Sequence, residues 1–266
     1  WRSKHILYNF GCLWFDGRIS RMRSDEPVLD LHRPPEWRNG VIFASPHSGR
    51  SYPGWFLAGA RLDSLQLRSS EDAFVDRLIQ PALGHGAVVL SSRVPRSLID
   101  LNRAPEDIDP LVVEGAPPIR MNPRIMAGLG VIPRVVSQGR AIYNRPISRA
   151  EAEYRIDAMW RPYHTALSGL IAEARARFGG AVLIDTHSMP RDSLAHLPMP
   201  RPDMVLGDRN GASASARIAK EVAEAIAAEG FRMRRNSPFS GAYIAATYGR
   251  PAQNVHVVQL EMDRSL

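Results

Sequence analysis

Residues 181–190 read AVLIDTHSMP, an apolar β-branched run that passes straight into Asp185, Thr186 and His187 and then a proline turn. A short unbroken apolar run bounded by turn residues is the pattern of a strand covered on both faces. The pattern recurs at VIFAS (41–45), AVVLSS (87–92), DMVLG (203–207) and HVVQLEM (256–262). Helical stretches lie between the runs. One is predicted from near Ser70 through EDAFVDRLIQPAL. A second starts at Ser148, set against Glu151 with capping-box spacing, and continues to Phe178 with a bend at Pro162. A third covers 213–229 and is closed by Gly230. Alternation of this kind predicts an α/β fold, a three-layer, mixed but mostly parallel sheet with helices on both faces. No internal repeat or low-complexity linker divides the chain, so one domain is expected over residues 25–266. Residues 104–147, rich in Pro and Gly and weakly periodic, read as an irregular excursion over an active-site mouth.

The chain has 266 residues, of which 44% are hydrophobic and 23% charged, enough for a substantial core. No stretch approaches the ~18 uncharged apolar residues of a membrane span. Cys12 is the single cysteine, which leaves no disulfide framework, thiolate zinc finger or iron–sulfur cluster. That count suits a reducing compartment, and a cytoplasmic location is the expectation. The formal net charge is +7, but Arg2, Lys4, Arg18, Arg21 and Arg23 against Asp16 place +4 of it in residues 1–24. That segment lacks periodicity and reads as a leader or upstream stretch outside the fold, with Met22 a natural start. The other arginines are scattered through an acidic background instead of forming a basic patch with aromatics, so no nucleic-acid partner is expected.

Several chemistries are excluded by absent motifs: there is no GxSxG elbow, HExxH helix or Walker GxxxxGK. The glycine pattern GLGVIP (128–133) ends in proline, and Lys220 lies mid-helix, a poor setting for Schiff-base chemistry. The reacting groups are therefore expected among His, Asp, Glu and Arg. Ligands in open α/β sheets gather at the carboxyl ends of strands. There the sequence places His47 after the first of these runs, His187 after AVLID, and Glu261 near the end of the last. Glu71 and Asp72 would open the first helix at its dipole-positive end. Two histidines, a carboxylate and a further glutamate are the parts of a mononuclear zinc hydrolase. A turn or packing role for each histidine, and helix-start or ion-pair roles for the carboxylates, are the plainer alternatives. In RSLIDLNR (96–103), Arg103 beside Asn102 has the fork to clamp a substrate carboxylate and Arg96 the charge to polarise a carbonyl, unless Asp100 merely pins the loop.

Assembled in order, SPHSGRSYP (45–53), EDAFVDRL (71–78), DLNRAPED (100–107), the Pro162-Tyr163-His164 helix, LIDTHSMP (183–190), NSPFSG (236–241) and VVQLEMDRSL (257–266) resemble the N-formylglutamate amidohydrolase (N-formylglutamate deformylase) family. The resemblance implies a fold like the zinc carboxypeptidases and aspartoacylases, one bound Zn2+ or another divalent ion, and a small anionic N-acyl amino acid as substrate. It implies His47 and His187 as metal ligands with Asp72, Glu71 being its rival, and Glu261 as general base. Arg96 would stabilise the oxyanion, and Asn102 and Arg103 would anchor a carboxylate. Arg145 and Arg93 are further candidates for a second carboxylate. Where carboxypeptidases carry a metal carboxylate three residues after the first histidine, this chain has Arg50. Family members usually continue beyond the LEMDRSL strand, so a C-terminal truncation is expected here. A hydrolase of peptides or larger acyl-amino acids, and a ligand-binding relative without turnover, remain as alternatives.

Overall fold

A computed structural model describes residues 26–118 and 122–266. Cys12, Met22 and the expected leader over residues 1–24 lie outside the described residues. Seven strands, β1 (Leu29–His32), β2 (Val41–Ser45), β3 (Val88–Ser92), β4 (Ala181–Met189), β5 (Met204–Gly207), β6 (Met233–Arg235) and β7 (Val255–Asp263), form a mixed, mostly parallel sheet in the order β1-β3-β2-β4-β7-β5-β6. The β2–β3, β2–β4, β4–β7 and β5–β6 pairs are parallel, and β5 runs antiparallel to β7. Five of the strands lie where the apolar runs predict them. The short β1 and β6 carry no such run and are new.

The chain divides into two compact units. The first comprises the described residues up to Leu31, His47–Glu71 and Ser92–Thr165; the second comprises His32–Pro46, Asp72–Ser91 and Ala166–Leu266. In the second unit, Ile184, Leu206 and Val258 of the sheet cluster with Ala214, Ile218 and Ala219. Ile218 and Ala219 belong to a helix, Ala216–Ala228, capped by the Ser215 hydroxyl, which accepts from the Ile218 N–H. Its outer face carries the i,i+4 pairs Arg217–Glu221 and Lys220–Glu224. Gly230, at φ 84, follows it as the spacing predicts.

In the first unit the 104–147 segment is irregular, as expected, yet tightly held. The Asp109 carboxylate, fully buried, accepts from Arg134 Nε at 2.8 Å and the Leu111 N–H at 2.8 Å. The segment meets the DLNR turn through the Asp100 N–H to Val131 O and closes on itself through the Val131 N–H to Asp107 O, both 2.8 Å. A helix begins at Ser148, whose hydroxyl accepts from the Glu151 N–H. Only half of the capping box forms, because the Glu151 carboxylate turns to Arg155. The helix is α over Arg149–Arg155, π over Ile156–Trp160 and α again over Arg161–Phe178. The π turn ends just before Pro162, whose ring and missing N–H disrupt a regular α-ladder.

Two expectations are corrected. Residues 70–74 do not start a helix: Phe74 sits at φ 65, and only Val75–Leu78 is α-helical before Pro81 turns the chain into a 3₁₀ segment, Gln80–His85. Glu71 therefore lies in a bend with extended backbone angles and Asp72 in irregular chain, and neither opens a helix. His187 lies inside β4 rather than past its end, since the ladder with β7 continues to Met189.

Gly130 shows how closely the irregular segment is fitted, for a Cβ there would lie 2.4 Å from Asp107 O. Gly130→Ala is expected to destabilise by about 1–3 kcal/mol through this clash. A thermal melt followed by circular dichroism should show the transition lowered by several degrees.

Candidate functional site

In the first unit the DLNR turn is organised around Asp100, a fully buried carboxylate. Its Oδ1 lies 2.7 Å from His47 Nε2 and accepts the Asn102 N–H at 2.8 Å, while Oδ2 accepts from Arg96 Nε at 3.0 Å. Arg103 Nε stands 3.9 Å from the same Oδ2 and donates to Leu129 O at 2.9 Å; its Nη1 donates to Asn102 O at 2.8 Å. Burial alone would raise the Asp100 pKa, but Arg96, His47 and Arg103 outweigh it and hold the carboxyl well below its ordinary range. The sequence-predicted His47, Arg96, Asn102 and Arg103 thus meet around an aspartate that the sequence assigned only to pinning the loop.

The helix that follows bonds three carbonyls of the RSLIDLNR stretch (96–103). Arg155 Nη1 donates to Leu98 O at 3.0 Å, Trp160 Nε1 to Arg103 O at 3.0 Å, and His164 Nε2 faces Leu101 O at 2.8 Å. A regular α-helix, at about 3.6 residues per turn, would put positions five apart on different sides. The wider π turn between Arg155 and Trp160 brings them into line. Arg155 is also packed against the Trp55, Phe56 and Tyr143 rings, 5.2–5.5 Å from their centroids. His164, stacked on Trp160 at 3.8 Å, is a packing residue.

The second unit gathers a different set. The β4–β7 register pairs Asp185 with Gln259 and His187 with Glu261. Alternate residues share a sheet face, so these four side chains project together. His187 Nδ1 lies 2.9 Å from Asp72 Oδ2, and its Nε2 lies 3.2 Å from Asp185 Oδ1. Burial disfavours a charged imidazole, yet Asp185, Asp72 and Glu261 prevail and raise the His187 pKa well above its ordinary value. Glu261 Oε1 accepts from Gln259 Nε2 at 3.0 Å, and the Gln259 Oε1 in turn accepts the Ala242 N–H at 2.9 Å. That relay fixes both the amide and the carboxylate. The strand spacing i,i+2 was the signal by which Asp185 and Gln259 could have been read beside His187 and Glu261.

Glu71, the rival to Asp72, is engaged within the first unit by Tyr52 Oη at 2.6 Å and Arg68 Nε at 3.2 Å. Burial, and then the bond to Glu71, push the Tyr52 phenol upward, so Tyr52 remains a donor. Arg145 is exposed in the loop before the Arg149–Arg155 helix. Arg93 turns to Asp30, 3.4 Å away. In the second unit, Asp72 Oδ2 and His187 Nδ1 are donor atoms that a metal ion could use. Among the described residues no helix is long and apolar enough to cross a membrane.

The model of the N-formylglutamate amidohydrolase family matches residues 39–266. N-formylglutamate deformylase of Pseudomonas aeruginosa is 33% identical over 226 residues, covering 84% of this chain and 79% of its own. The N-formylglutamate deformylase of Pseudomonas putida is 31% identical over 248 residues, 90% of this chain and 85% of its own. The crystal structure of N-formylglutamate amidohydrolase from Ralstonia eutropha JMP134 superposes with a TM-score of 0.83 at 34% identity, over 90% of this chain and 87% of that one. A gene product of Agrobacterium tumefaciens shares the fold, with a TM-score of 0.63 at 18% identity over 90% of this chain and 84% of that one.

Asp100 carries a stability prediction. Its depressed pKa means that its contribution is present above the ordinary carboxylate range and is lost as pH falls through the folded value. Asp100→Asn leaves Arg96, Arg103 and His47 facing one another and is expected to cost about 3–5 kcal/mol at neutral pH. Urea unfolding should show that loss at pH 7 and a much smaller difference from the parent protein in acid.

Proposed function

The chain belongs to the N-formylglutamate amidohydrolase family, and from that membership we propose that it hydrolyses N-formyl-L-glutamate to formate and glutamate with the aid of one bound divalent ion, expected to be zinc. The reading takes residues 25–266 as one amidohydrolase domain, supported by the single family match over 39–266. The observation that carries the metal reading is a repeated pattern. Each of two buried histidines has a carboxylate against its Nε2, Asp100 for His47 and Asp185 for His187. Metal-ligating histidines characteristically present one nitrogen to the ion and the other to a carboxylate or carbonyl. His47 and His187 would accordingly ligate through Nδ1, and Asp72 through Oδ2, a donor set of two imidazoles and one carboxylate that suits catalytic zinc.

When bound, such an ion acidifies a water and polarises the formyl oxygen. The chain's own residues account for the rest. Glu261, held by Gln259, takes a proton from the water as its oxygen attacks the formyl carbon. The C–N bond then breaks, and Glu261 returns the proton to the departing amine nitrogen, leaving formate and the amino acid. Arg96 stabilises the oxyanion of the tetrahedral intermediate. Asn102 and Arg103 hold the α-carboxylate, and Arg145 the side-chain carboxylate.

A panel from N-formyl- to N-acetyl- and larger acyl-L-glutamates, with formate and free glutamate quantified, tests the substrate. Release is expected from the formyl compound and should fall as the acyl group grows; preference for larger acyl groups would reassign the enzyme. Glu261→Gln is expected to lower kcat by about 10²–10⁴-fold while retaining the metal content of the parent, measured by atomic emission.

A further inference from the structure

Asp72 divides its two oxygens between different partners. Oδ1 accepts from Arg264 Nη2 at 3.1 Å and from Ser188 Oγ at 3.3 Å, while Oδ2 lies 2.9 Å from His187 Nδ1. Arg264 also donates from Nε to Ser188 Oγ at 3.0 Å. All four residues belong to the second unit, with Ser188 beside His187 on β4 and Arg264 immediately after the end of β7. The Asp72 side chain is 1% exposed and that of Arg264 31%, so the guanidinium closes over a buried carboxylate.

We propose that Arg264 is a positioning residue that makes Asp72 a one-oxygen ligand of the divalent ion. A carboxylate can grip a divalent cation with one oxygen or with both. Two donors on Oδ1 occupy its lone pairs and fix the plane of the carboxylate, which leaves Oδ2 presented on the side of His187 Nδ1. Arginine suits this work because its planar fork meets two acceptors at a fixed spacing, here Asp72 Oδ1 and Ser188 Oγ; a lysine ammonium supplies the charge without the fork. The inference rests on the metal reading above and adds to it what orients its carboxylate.

The test uses the full chain stripped of metal and titrated with Co2+, followed by its visible spectrum, and with Zn2+ against a chromophoric chelator. Arg264→Gln and Arg264→Lys are expected to weaken metal binding about 10–100-fold, the loss typical of partners behind the ligands, with lysine recovering little. Their Co2+ spectra should differ from that of the parent. At saturating metal, KM for N-formyl-L-glutamate should stay within about two-fold while kcat falls. Ser188→Ala should give a smaller loss of affinity in the same direction, and it decides the matter if the Arg264 variants do not fold. Parent-like metal affinity and Co2+ spectra in folded variants would overturn the proposal. So would unchanged affinity with KM raised more than about ten-fold, which would make Arg264 a substrate-binding residue. Failure of the metal reading itself would be seen in the parent protein, as no Co2+ spectrum at all, and would remove the inference with it.

Discussion

The parallel pairing of β4 with β7 is the constraint on which the second unit's chemistry depends. Its register runs without a break from Ala181 opposite Val255 to Met189 opposite Asp263. Because side chains alternate along a strand, this one register decides two things together. It sends Ile184 and Val258 into the core cluster on one face, and it sets Asp185 and His187 beside Gln259 and Glu261 on the other. A slip by one residue would bury the charged groups in the hydrophobic layer and expose the aliphatic ones. The apolar face therefore enforces the position of the polar one, and a buried imidazole can be held among three carboxylates.

Both units solve the same electrostatic problem by opposite means. In the first, one buried carboxylate, Asp100, is surrounded by Arg96, Arg103 and His47. In the second, one histidine is surrounded by Asp72, Asp185 and Glu261, with Arg264 reaching Asp72 from the end of β7. An excess of negative charge around a single imidazole is an arrangement that a divalent cation would balance. An excess of positive charge around a single aspartate suits the recognition of an anionic substrate. The π turn at Ile156–Trp160 serves the same end, since it lets one helix bond the Leu98, Leu101 and Arg103 carbonyls in the stretch that carries Arg96 and Arg103.

Much of this was readable from residues alone. Continuous β-branched runs betrayed five strands because a strand buried on both faces has no polar alternation to disguise it. His47, His187 and Glu261 could be singled out because each follows or closes such a run. The failures have equally local causes. The acidic EDAFVDRL stretch looks helical by composition, but Phe74 adopts a left-handed backbone that no propensity would suggest. β1 and β6 are edge strands of four and three residues, too short to show a period. Asp100, Asp185, Gln259 and Arg264 act on other polar groups rather than on a substrate, and such pairings depend on register and long-range contact. The 192-residue separation between Asp72 and Arg264 lies beyond any sequence window.

Formate release by this chain is expected to depend on a bound divalent ion. The chain should lose turnover of N-formyl-L-glutamate when dialysed against a strong chelator and regain it on addition of about one equivalent of zinc or another divalent ion. Turnover that persists undiminished in metal-depleted protein, with the depletion verified by atomic emission, would contradict it.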